Sequence, residues 1–456
     1  MSKSPISEPD FVCDCEEWMR SACAGGPYYK EHEGKRYCLL HFPGKEKREA
    51  FKVVFQRKLE NKDFNFRGVW FPDQLSFEDY EFRTEAHFNA ATFSDEVYFL
   101  NVTFSAKTYF SGATFNADAY FTASFGAMAD FSHVTFSARA DFVDSTFEAE
   151  AFFNSAMFKS RANFNRVTFS AAALFLSTTF GARAVFRHTI FSVEAFFIRA
   201  AFREYVEFTG DETRQVFSET SSLELHFAKI ENPAHVSFHS VSLRPHWFVN
   251  VDASKFDFTN VGWPTFTKVD SNRRSIKKEI KRLQDQKLRF PHRLLSVACW
   301  RLATNAEENH RYPEASGFRY MAMDANRLEH WHGFAFWRLS WWYWLASGYS
   351  ERILRATVVL IGMLLLTAAI YTQVGFVGSE PRLTRESRAE ATKWEDTNAR
   401  LNLRRALIYS AEVMAFQKPE PKPGTTAAHS VVLLETILGP VQAALLLLAI
   451  RRKFMR

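Results

Sequence analysis

Phenylalanine recurs at a nearly constant interval between Phe88 and Phe208. The series advances alternately by five and by six residues, with one shorter step of four that ends at Phe125. An amphipathic helix would place apolar residues every three or four positions, and a single long strand would alternate at every second position, so neither explains this spacing. The spacing instead predicts a solenoid, in which short strands follow one another around a repeated coil.

A small residue, Ala, Val, Ser or Thr, stands two positions before every phenylalanine of the series, as Ala113 does before Phe115. Because residues two apart on a strand share a face, we expect both side chains to point into the solenoid. With about 22 residues per coil and about 4.8 Å between coils, this stretch predicts about five to six coils and a rod about 25 Å long. One coil buries too little apolar surface to fold alone, so neighbouring coils must stabilise one another.

Runs such as ATFNADAYF, VTFSARADF and VTFSAAALF resemble the A(D/N)Fxx register of pentapeptide-repeat proteins in its eleven-residue form. The resemblance implies a right-handed quadrilateral β-helix, strong over residues 82–208 and weaker as far as residue 263. It implies little about function. Family members that mimic DNA and bind gyrase are one alternative, but they need a strongly acidic face, and residues 81–208 carry 13 acidic and 10 basic side chains.

Two long apolar runs near the C-terminal end, residues 356–377 and 431–450, are each long enough to span a membrane as a helix. The aromatic run FAFWRLSWWYWLASGY before the first of them suits the membrane interface. MSKSPISEPDFVCDC has no apolar signal segment, so the first large domain is expected to stay in the cytosol. Together these features predict a multi-pass protein of the bacterial inner membrane, with its N- and C-termini in the cytosol.

The segment between the two runs resembles the two-transmembrane ion-channel module, with residues 401–416 in the place of the re-entrant pore helix. The flanking stretches GYSERILRA and LLETILGPVQAALLLLAIRRKF look like those in pentapeptide-repeat fusions of such modules. Residues 411–423 contain no glycine, so the filter is degenerate and any current should be weakly selective. The resemblance implies a homo-oligomer, of which a tetramer is one form. Its candidate pore residues are Glu412, Glu435, Gly439 and Pro440.

Each pore candidate also has a simpler interpretation. Glu412 is charged and suits the exposed surface of a helix, and Glu435 lies near one end of its apolar run, where it would reach the lipid headgroups. Proline is tolerated in membrane helices without a functional reason, so Gly439 and Pro440 need not form a hinge. A membrane-anchored scaffold that conducts no ions is therefore the alternative to a channel.

The N-terminal stretch contains four cysteines and two histidines, His32 and His41, within thirty residues, and His32 is the weaker candidate ligand. A tetrahedral zinc site takes four ligands of these types, and a segment too short to form a core often folds around one. We predict a zinc ion bound by Cys15, Cys23, Cys38 and His41. Cys13 competes with Cys15 for one position, and the choice between them stays open. The alternative is a set of reduced thiols packed against the first coil.

The sequence contains no GxxxxGK[ST], GxGxxG, HExxH or GxSxG motif in a context that supports catalysis, so we do not expect an enzyme. The formal charge of +6 is too small to indicate a dedicated nucleic-acid binder. The expected partners are membrane lipid, further copies of this chain, and an unidentified protein on the solenoid surface.

These patterns divide the chain into nine segments. The predicted order is a Cys-rich, possible zinc-binding segment (1–50), a leading cap (51–81), the β-helix (82–265), a helical connector (266–333), an interfacial aromatic segment (334–355), the first span (356–377), an inter-span loop (378–430), the second span (431–450) and a basic cytosolic tail (451–456).

Overall fold

The computed structural model describes most of the chain, with short gaps between the described ranges. These ranges are residues 11–23, 26–211, 213–218, 220–263, 271–329, 338–377 and 400–454. The chain forms two units, Met1–Asn305 and Ala306–Arg456.

The first unit contains a parallel β-solenoid of about nine turns, which confirms the predicted fold class. Each complete coil has four sides, numbered here in chain order. First-side strands are Ala86–His87, Thr108–Tyr109, Ala129–Asp130, Ala151–Phe152, Ala173–Leu174, Glu194–Phe196 and Ser222–Glu224. Second-side strands are Trp70–Phe71, Thr92–Phe93, Thr114–Phe115, Thr135–Phe136, Met157–Phe158, Thr179–Phe180, Ala201–Phe202 and Lys229–Ile230.

The third and fourth sides share one sheet because two of their strands run around the corner between them. This sheet contains Leu75–Ser76, Glu81–Phe82, Val97–Phe104, Ala119–Phe125, Ala140–Asp141, Thr146–Phe147, Ala162–Asn163, Thr168–Phe169, Ala184–Arg187, Ile190–Phe191, Val206–Thr209, Val236–His239 and Asp257–Thr259. The rod has more coils than residues 88–208 predict, because pairing begins at Asn65 and continues to Gly262. An N-terminal hairpin, Tyr28–His32 and Lys35–Cys38, precedes it.

The predicted inward pair of residues forms the core of every coil. The phenylalanine rings stack in four columns, and stacked neighbours lie between 4.6 Å and 5.6 Å apart. The small residue two positions before each ring is also buried, as Ala113 is before Phe115. The third-side column is Phe77, Phe99, Phe121, Phe142, Phe164, Phe186, Phe208, Phe238 and Phe258.

A residue with left-handed backbone conformation recurs every eleven positions along most of the rod and turns two of the four corners of each coil. This backbone repeat accounts for the eleven-residue period of the sequence. Most of these corner residues are not glycine, although glycine adopts the conformation most easily. The left-handed corner residues of the regular coils are Asp79, Ala90, Asn101, Gly112, His133, Asp144, Ser155, Arg166, Ser177, His188 and Arg199.

The four-residue step that ends at Phe125 removes one of these corner residues. The strand pairing shifts register between Thr122 and Ala123. Ser145 from the following coil is fully buried at this place. Its Oγ accepts a hydrogen bond from the Ala123 amide at 3.1 Å and donates one to the Phe121 carbonyl at 2.7 Å. One side chain therefore satisfies the backbone groups that the shorter coil leaves unpaired.

The chain also forms nine helices within the described residues. They are α1 (Arg20–Cys23), α2 (Arg48–Glu60), α3 (Ser271–Asp285), α4 (Pro291–Glu308), α5 (Tyr312–Glu329), α6 (Leu339–Ser347), α7 (Ile353–Tyr371), α8 (Leu403–Met414) and α9 (Thr426–Phe454). Helices α3 to α5 correspond to the predicted connector, and α7 and α9 to the two predicted spans. Helix α8 lies within the predicted pore-helix segment. Residues 330–337 and 378–399, parts of the predicted connector, interfacial segment and inter-span loop, lie outside the described residues.

Helices cover both ends of the phenylalanine columns. At the first coil, the ring of Phe55 in α2 lies 5.6 Å from that of Phe66. At the last coils, the side-chain amide of Asn305 in α4 donates hydrogen bonds to the carbonyls of Ala253 and Phe256 at 3.2 and 2.7 Å. An uncovered end would expose aromatic rings and unpaired backbone groups, so these caps prevent end-to-end association.

Candidate metal centre and membrane module

The four N-terminal cysteines and His41 come together beside the first coil. Cys13 and Cys15 lie in the loop that opens the described chain, and Cys23 is the last residue of α1. Cys38 ends the second strand of the N-terminal hairpin, and His41 follows it in a turn. Three separate local structures therefore supply the side chains of one cluster.

The distances in this cluster suit a tetrahedral metal site. The sulfurs of Cys13, Cys15 and Cys23 and one ring nitrogen of His41 lie within 4.8 Å of one another. The Cys38 sulfur is 3.2 Å, and the Cys13 sulfur 3.6 Å, from Nδ1 of His41. Zinc binds sulfur at about 2.3 Å and nitrogen at about 2.0 Å, which places neighbouring ligand atoms of a tetrahedron about 3.5–3.8 Å apart. The cluster offers five donors, one more than such a site needs.

All four predicted ligands, Cys15, Cys23, Cys38 and His41, belong to this cluster, and so does Cys13. The Cys13 side chain is buried, whereas Cys15 is only partly buried. The Cys13 sulfur also accepts a hydrogen bond from the Cys38 amide at 3.4 Å. The four donors that lie within 4.8 Å of one another include both Cys13 and Cys15 and leave out Cys38, so the geometry supports a four-ligand centre here without selecting four of the five donors.

His41 is oriented by the start of the solenoid. Its Nε2 lies 2.9 Å from the carbonyl oxygen of Arg67, so Nε2–H donates a hydrogen bond there and Nδ1 faces the sulfurs. This is the second contact that a metal-binding histidine usually makes. The next residue, Gly68, has φ +65°, and a Cβ on it would lie 2.4 Å from Sδ of Met19 and 3.3 Å from the His41 ring. A larger residue at position 68 would be strained by the positive φ and would push the Met19 side chain away.

Hydrogen bonds and burial shift the pKa values of several groups in the cluster. Hydrogen bonds from Cys23 and Cys38 hold the pKa of the Cys13 thiol well below its usual range. Burial, with the nearby charge of Cys13, raises the pKa of Cys15 to about 12. Burial alone would lower the pKa of His41, but its hydrogen bonds to the cysteines raise it to about 9. A divalent cation would stabilise several thiolates together, which is why clusters of this composition bind metals.

Two helices of the second unit, α7 and α9, are long and apolar enough to cross a membrane. Their apolar segments have mean hydropathies of 2.3 and 2.1. Large apolar side chains point outward along both helices, a surface that lipid or other helices would cover. The exposed apolar residues are Leu354, Val358, Ile361, Leu365 and Leu366 on α7, and Leu433, Leu434, Ile437, Leu438, Val441, Leu447 and Leu448 on α9.

Glu435 of α9 is buried among the three helices α7, α8 and α9. The Glu435 carboxylate accepts hydrogen bonds from Thr367 at 2.7 Å, from Ser410 at 2.5 Å, and from the hydroxyl of Tyr371. Only 1% of the residue surface is exposed. A carboxylate within an apolar helix is costly unless polar groups surround it, and three hydroxyls do so here. In a single chain this side chain joins the helices and does not face an open path.

Helix α8 packs against both candidate spans. The side chain of Asn402 caps its first turn by accepting a hydrogen bond from the Arg405 amide at 2.9 Å. The Tyr409 ring lies 5.1 Å from each of the Tyr371 and Phe376 rings. The chain after α8 then returns alongside the end of the α7 segment, because the Val377 amide donates to the Lys422 carbonyl at 2.9 Å. The stretch in the place of a filter is therefore paired with its own chain.

The remaining pore candidates occupy different environments. Glu412 lies in an open cleft of about 710 Å³ that is also lined by Arg405 and Lys422. At Gly439, a Cβ would lie 2.8 Å from Cγ of Met414, so glycine permits the close contact between α8 and α9. Pro440 lies inside α9, which continues through it. Of the four candidates, only Glu435 belongs to the buried hydroxyl network.

The structure identifies two buried polar residues that the sequence patterns did not single out. The Glu351 carboxylate, just before α7, contacts Arg319 of α5 at 2.8 Å and Arg452 of α9 at 3.2 Å. The amide of Gln442 in α9 donates to the carbonyls of Ala346 and Ala356 at 2.8 and 2.9 Å. Gln442 was detectable, because it interrupts an apolar run. Glu351 lies among basic residues and gave no separate signal.

Comparisons with protein-family models, with curated proteins and with solved structures give no match for this chain. The solenoid with regular phenylalanine columns is consistent with a pentapeptide-repeat-like fold. The geometry of the two sites and of the solenoid surface is therefore what indicates a function.

Proposed function

We propose that this chain is a non-enzymatic, membrane-anchored scaffold of the pentapeptide-repeat type. The main support for this proposal is the contrast between the inward, polar face and the outward, apolar face of α7 and α9. Their polar groups, including Glu435, are paired inside the unit, whereas their outward leucines, isoleucines and valines have no polar group to satisfy. This arrangement suits a hydrocarbon environment. The rigid solenoid then supplies a surface for protein partners.

We further propose that both ends of the chain lie in the cytosol of a bacterium and that the spans cross its inner membrane. The start of α7 and the end of α9 lie at the same end of the unit, because Arg452 donates to the Tyr349 carbonyl at 3.1 Å. Arg352 and Arg355 lie at this end too, beside Tyr320 and Trp344. Clustered arginines at one end of a pair of spans favour the cytosolic side.

The anchor is tested by extraction and labelling of membranes. The chain should stay in the membrane pellet after alkaline carbonate, and Lys418→Cys should react with an impermeant maleimide from outside spheroplasts. Lys159→Cys, on the solenoid, is the matched control and should react only after lysis. Release by carbonate would contradict the anchor, and labelling of position 159 from outside would contradict the orientation. Labelling of the unsubstituted chain measures the background from its native cysteines.

We propose zinc as the metal of the N-terminal centre. A cysteine-rich donor set with one histidine suits zinc, and a closed four-ligand site suits a structural role. The Arg67 carbonyl links His41 to the first coil, so the ion would fix the N-terminal segment on the solenoid. This proposal is independent of the membrane module.

An oligomeric, weakly selective ion channel is the second candidate function. The observation that favours it is the position of α8, which packs against both spans as a pore helix would, with Glu412 in a charged cleft outside the hydroxyl network. Four copies would place this cleft around a common axis. The order of the helices supports the channel. The stretch after α8 pairs with the end of the α7 segment, and this favours an anchor that conducts no ions.

Planar-bilayer recording separates these two candidates. If the chain conducts, its current should show little preference for potassium over sodium, because residues 411–423 supply no glycine filter. Glu412→Gln should reduce the cation preference, whereas Glu148→Gln, at an exposed position on the solenoid, is the control that should leave it unchanged. Absence of current from a reconstituted oligomer would rule out the channel and leave the membrane anchor as the remaining candidate. Strong potassium selectivity would contradict the degenerate filter.

A further inference from the structure

One column of outward side chains on the third side of the solenoid changes sign along the rod. Its members occupy the position before the inward small residue on successive coils, and their strands pair in register. The column begins with acidic residues and continues with basic ones. In order along the rod it reads Glu96, Asp118, Arg139, Arg161 and Arg183.

The sign change extends beyond this column. Residues 73–150 contain 13 acidic and 3 basic side chains, whereas residues 151–200 contain 1 acidic and 6 basic ones. The near balance over the whole rod therefore conceals an acidic half and a basic half. Such a distribution favours association with a surface of the reverse pattern.

Like charges also stack at the spacing of adjacent coils, which is destabilising unless opposite charges compensate them. Within the described residues, neither Glu96 nor Asp118 forms an ion pair with a lysine or arginine. Among the described residues, the Asp118 carboxylate accepts hydrogen bonds from the Tyr120 hydroxyl, at 3.1 Å, and from the Arg139 amide, at 3.0 Å. Arg161 is exposed and likewise forms no ion pair in the described part of the chain.

Two residues of the column form ion pairs within one chain. In the last of them, Arg183, the guanidinium lies 2.8 Å from the Glu207 carboxylate. Arg139 pairs with Asp141 of its own strand, and its guanidinium lies 5.7 Å from the centre of the Tyr120 ring. The Arg139 charge is therefore compensated within one chain. The charges on the two sides of Arg139 are opposite in sign. Acidic residues lie one and two coils before it, and basic residues lie one and two coils after it.

We propose that the third side of the solenoid binds the same side of a second copy of this chain in antiparallel orientation. A two-fold axis in the interface, parallel to the strands and level with Arg139, brings Asp118 opposite Arg161 of the other copy and Glu96 opposite Arg183. Each pair occurs twice, as symmetry requires of an isologous interface. This inference deepens the proposed scaffold role, on which it rests, by naming its partner.

The outward strand residues of the same side are largely covered within each copy. The axis brings Tyr98 and Tyr120, both partly buried, opposite Val185 and Asn163 of the other copy, which are 4% and 5% exposed, so the flanking charges make the contact. Seven coils overlap, a contact about 34 Å long and about 15 Å wide, which buries roughly 1,000 Å² in total. An interface of that size is weak in dilute solution, and confinement of the chain to a membrane would raise its effective concentration.

The test is disulfide cross-linking of the full-length chain in membranes. Val143 lies next to the axis, so Val143→Cys should form a dimer on mild oxidation. Thr135→Cys is on the same coil but on the second side, and it is the matched control that should not. Equal cross-linking at both positions, or none at position 143, would overturn the proposal.

Charge reversal then tests the pairing itself. In the Val143→Cys background, Asp118→Arg or Arg161→Asp alone places like charges opposite each other at two points and should reduce the cross-linked fraction about tenfold. The double variant, or an equal mixture of the two single variants, should restore it. Folded variants that fail to recover in both combinations would overturn the interface. Retention of every variant in carbonate-washed membranes separates this result from failure of the anchor.

Discussion

Replacing Phe164 with alanine is expected to destabilise the solenoid by about 3–5 kcal/mol, the usual cost of removing a buried aromatic ring. Its ring is fully buried and stacks on Phe142 and Phe186, each 5.0 Å away. It also meets Phe153 and Phe175 edge-on at 5.6 Å. The coils above and below are held apart by their own backbone hydrogen bonds, so they cannot close the space that alanine would leave.

Hydrogen exchange of the full-length chain, followed by mass spectrometry, measures this loss as reduced protection of the coils around position 164. Lys159→Ala is the matched control, because Lys159 is exposed on an adjacent coil segment and should change the free energy of opening by no more than about 0.5 kcal/mol. Similar losses in both variants would show that the outward and inward positions of the repeat are not energetically distinct.

Purified chain is expected to contain about one zinc ion per molecule, and Cys38→Ser should abolish it, because structural zinc sites depend on every ligand for folding energy. The loss should be accompanied by faster hydrogen exchange in residues 11–41. Metal analysis by mass spectrometry gives the zinc-to-protein ratio directly. Cys299→Ser is the control, since Cys299 is buried in α4 and belongs to no part of the cluster.

The same measurement decides between the two competing ligands. Of Cys13→Ser and Cys15→Ser, one should lose zinc and the other should retain it, because a tetrahedral site accepts only one of them beside Cys23, Cys38 and His41. A chain that is free of metal, and keeps its protection in residues 11–41 after treatment with a chelator, would rule the zinc site out.

The solenoid was predictable because its information is local and repeated. The spacing of Phe88 to Phe208 fixes which side chains point inward, and each coil restates the same rule. The rod proved longer than this series. At its N-terminal end the phenylalanine columns continue through Phe66, Phe71, Phe77 and Phe82. Beyond Phe208, Leu225 and Ile230 take phenylalanine positions, and insertions interrupt the spacing. The left-handed corners were not predictable, because most are occupied by residues such as His133 and Ser155, which carry no glycine signal.

The sites were predictable only as sets of residue types. The cysteines and His41 formed a recognisable group, but the Arg67 carbonyl that orients the histidine is a backbone atom and leaves no trace in the sequence. Glu435 was conspicuous as a charge in an apolar run. Its hydroxyl partners Thr367 and Ser410 lie 68 and 25 positions away, so their roles required the packing of three helices.

A rod of nearly identical coils has a problem of alignment, because a coil displaced by one full repeat would find almost the same neighbours. The shortened coil at Phe125 removes this degeneracy. A displaced chain would bring an ordinary coil to Ser145, whose hydroxyl would lose the Ala123 amide, and would leave the shortened coil with unpaired backbone groups elsewhere. The shortened coil thus fixes the register of the repeats, because only one alignment of the coils satisfies every hydrogen bond at this place.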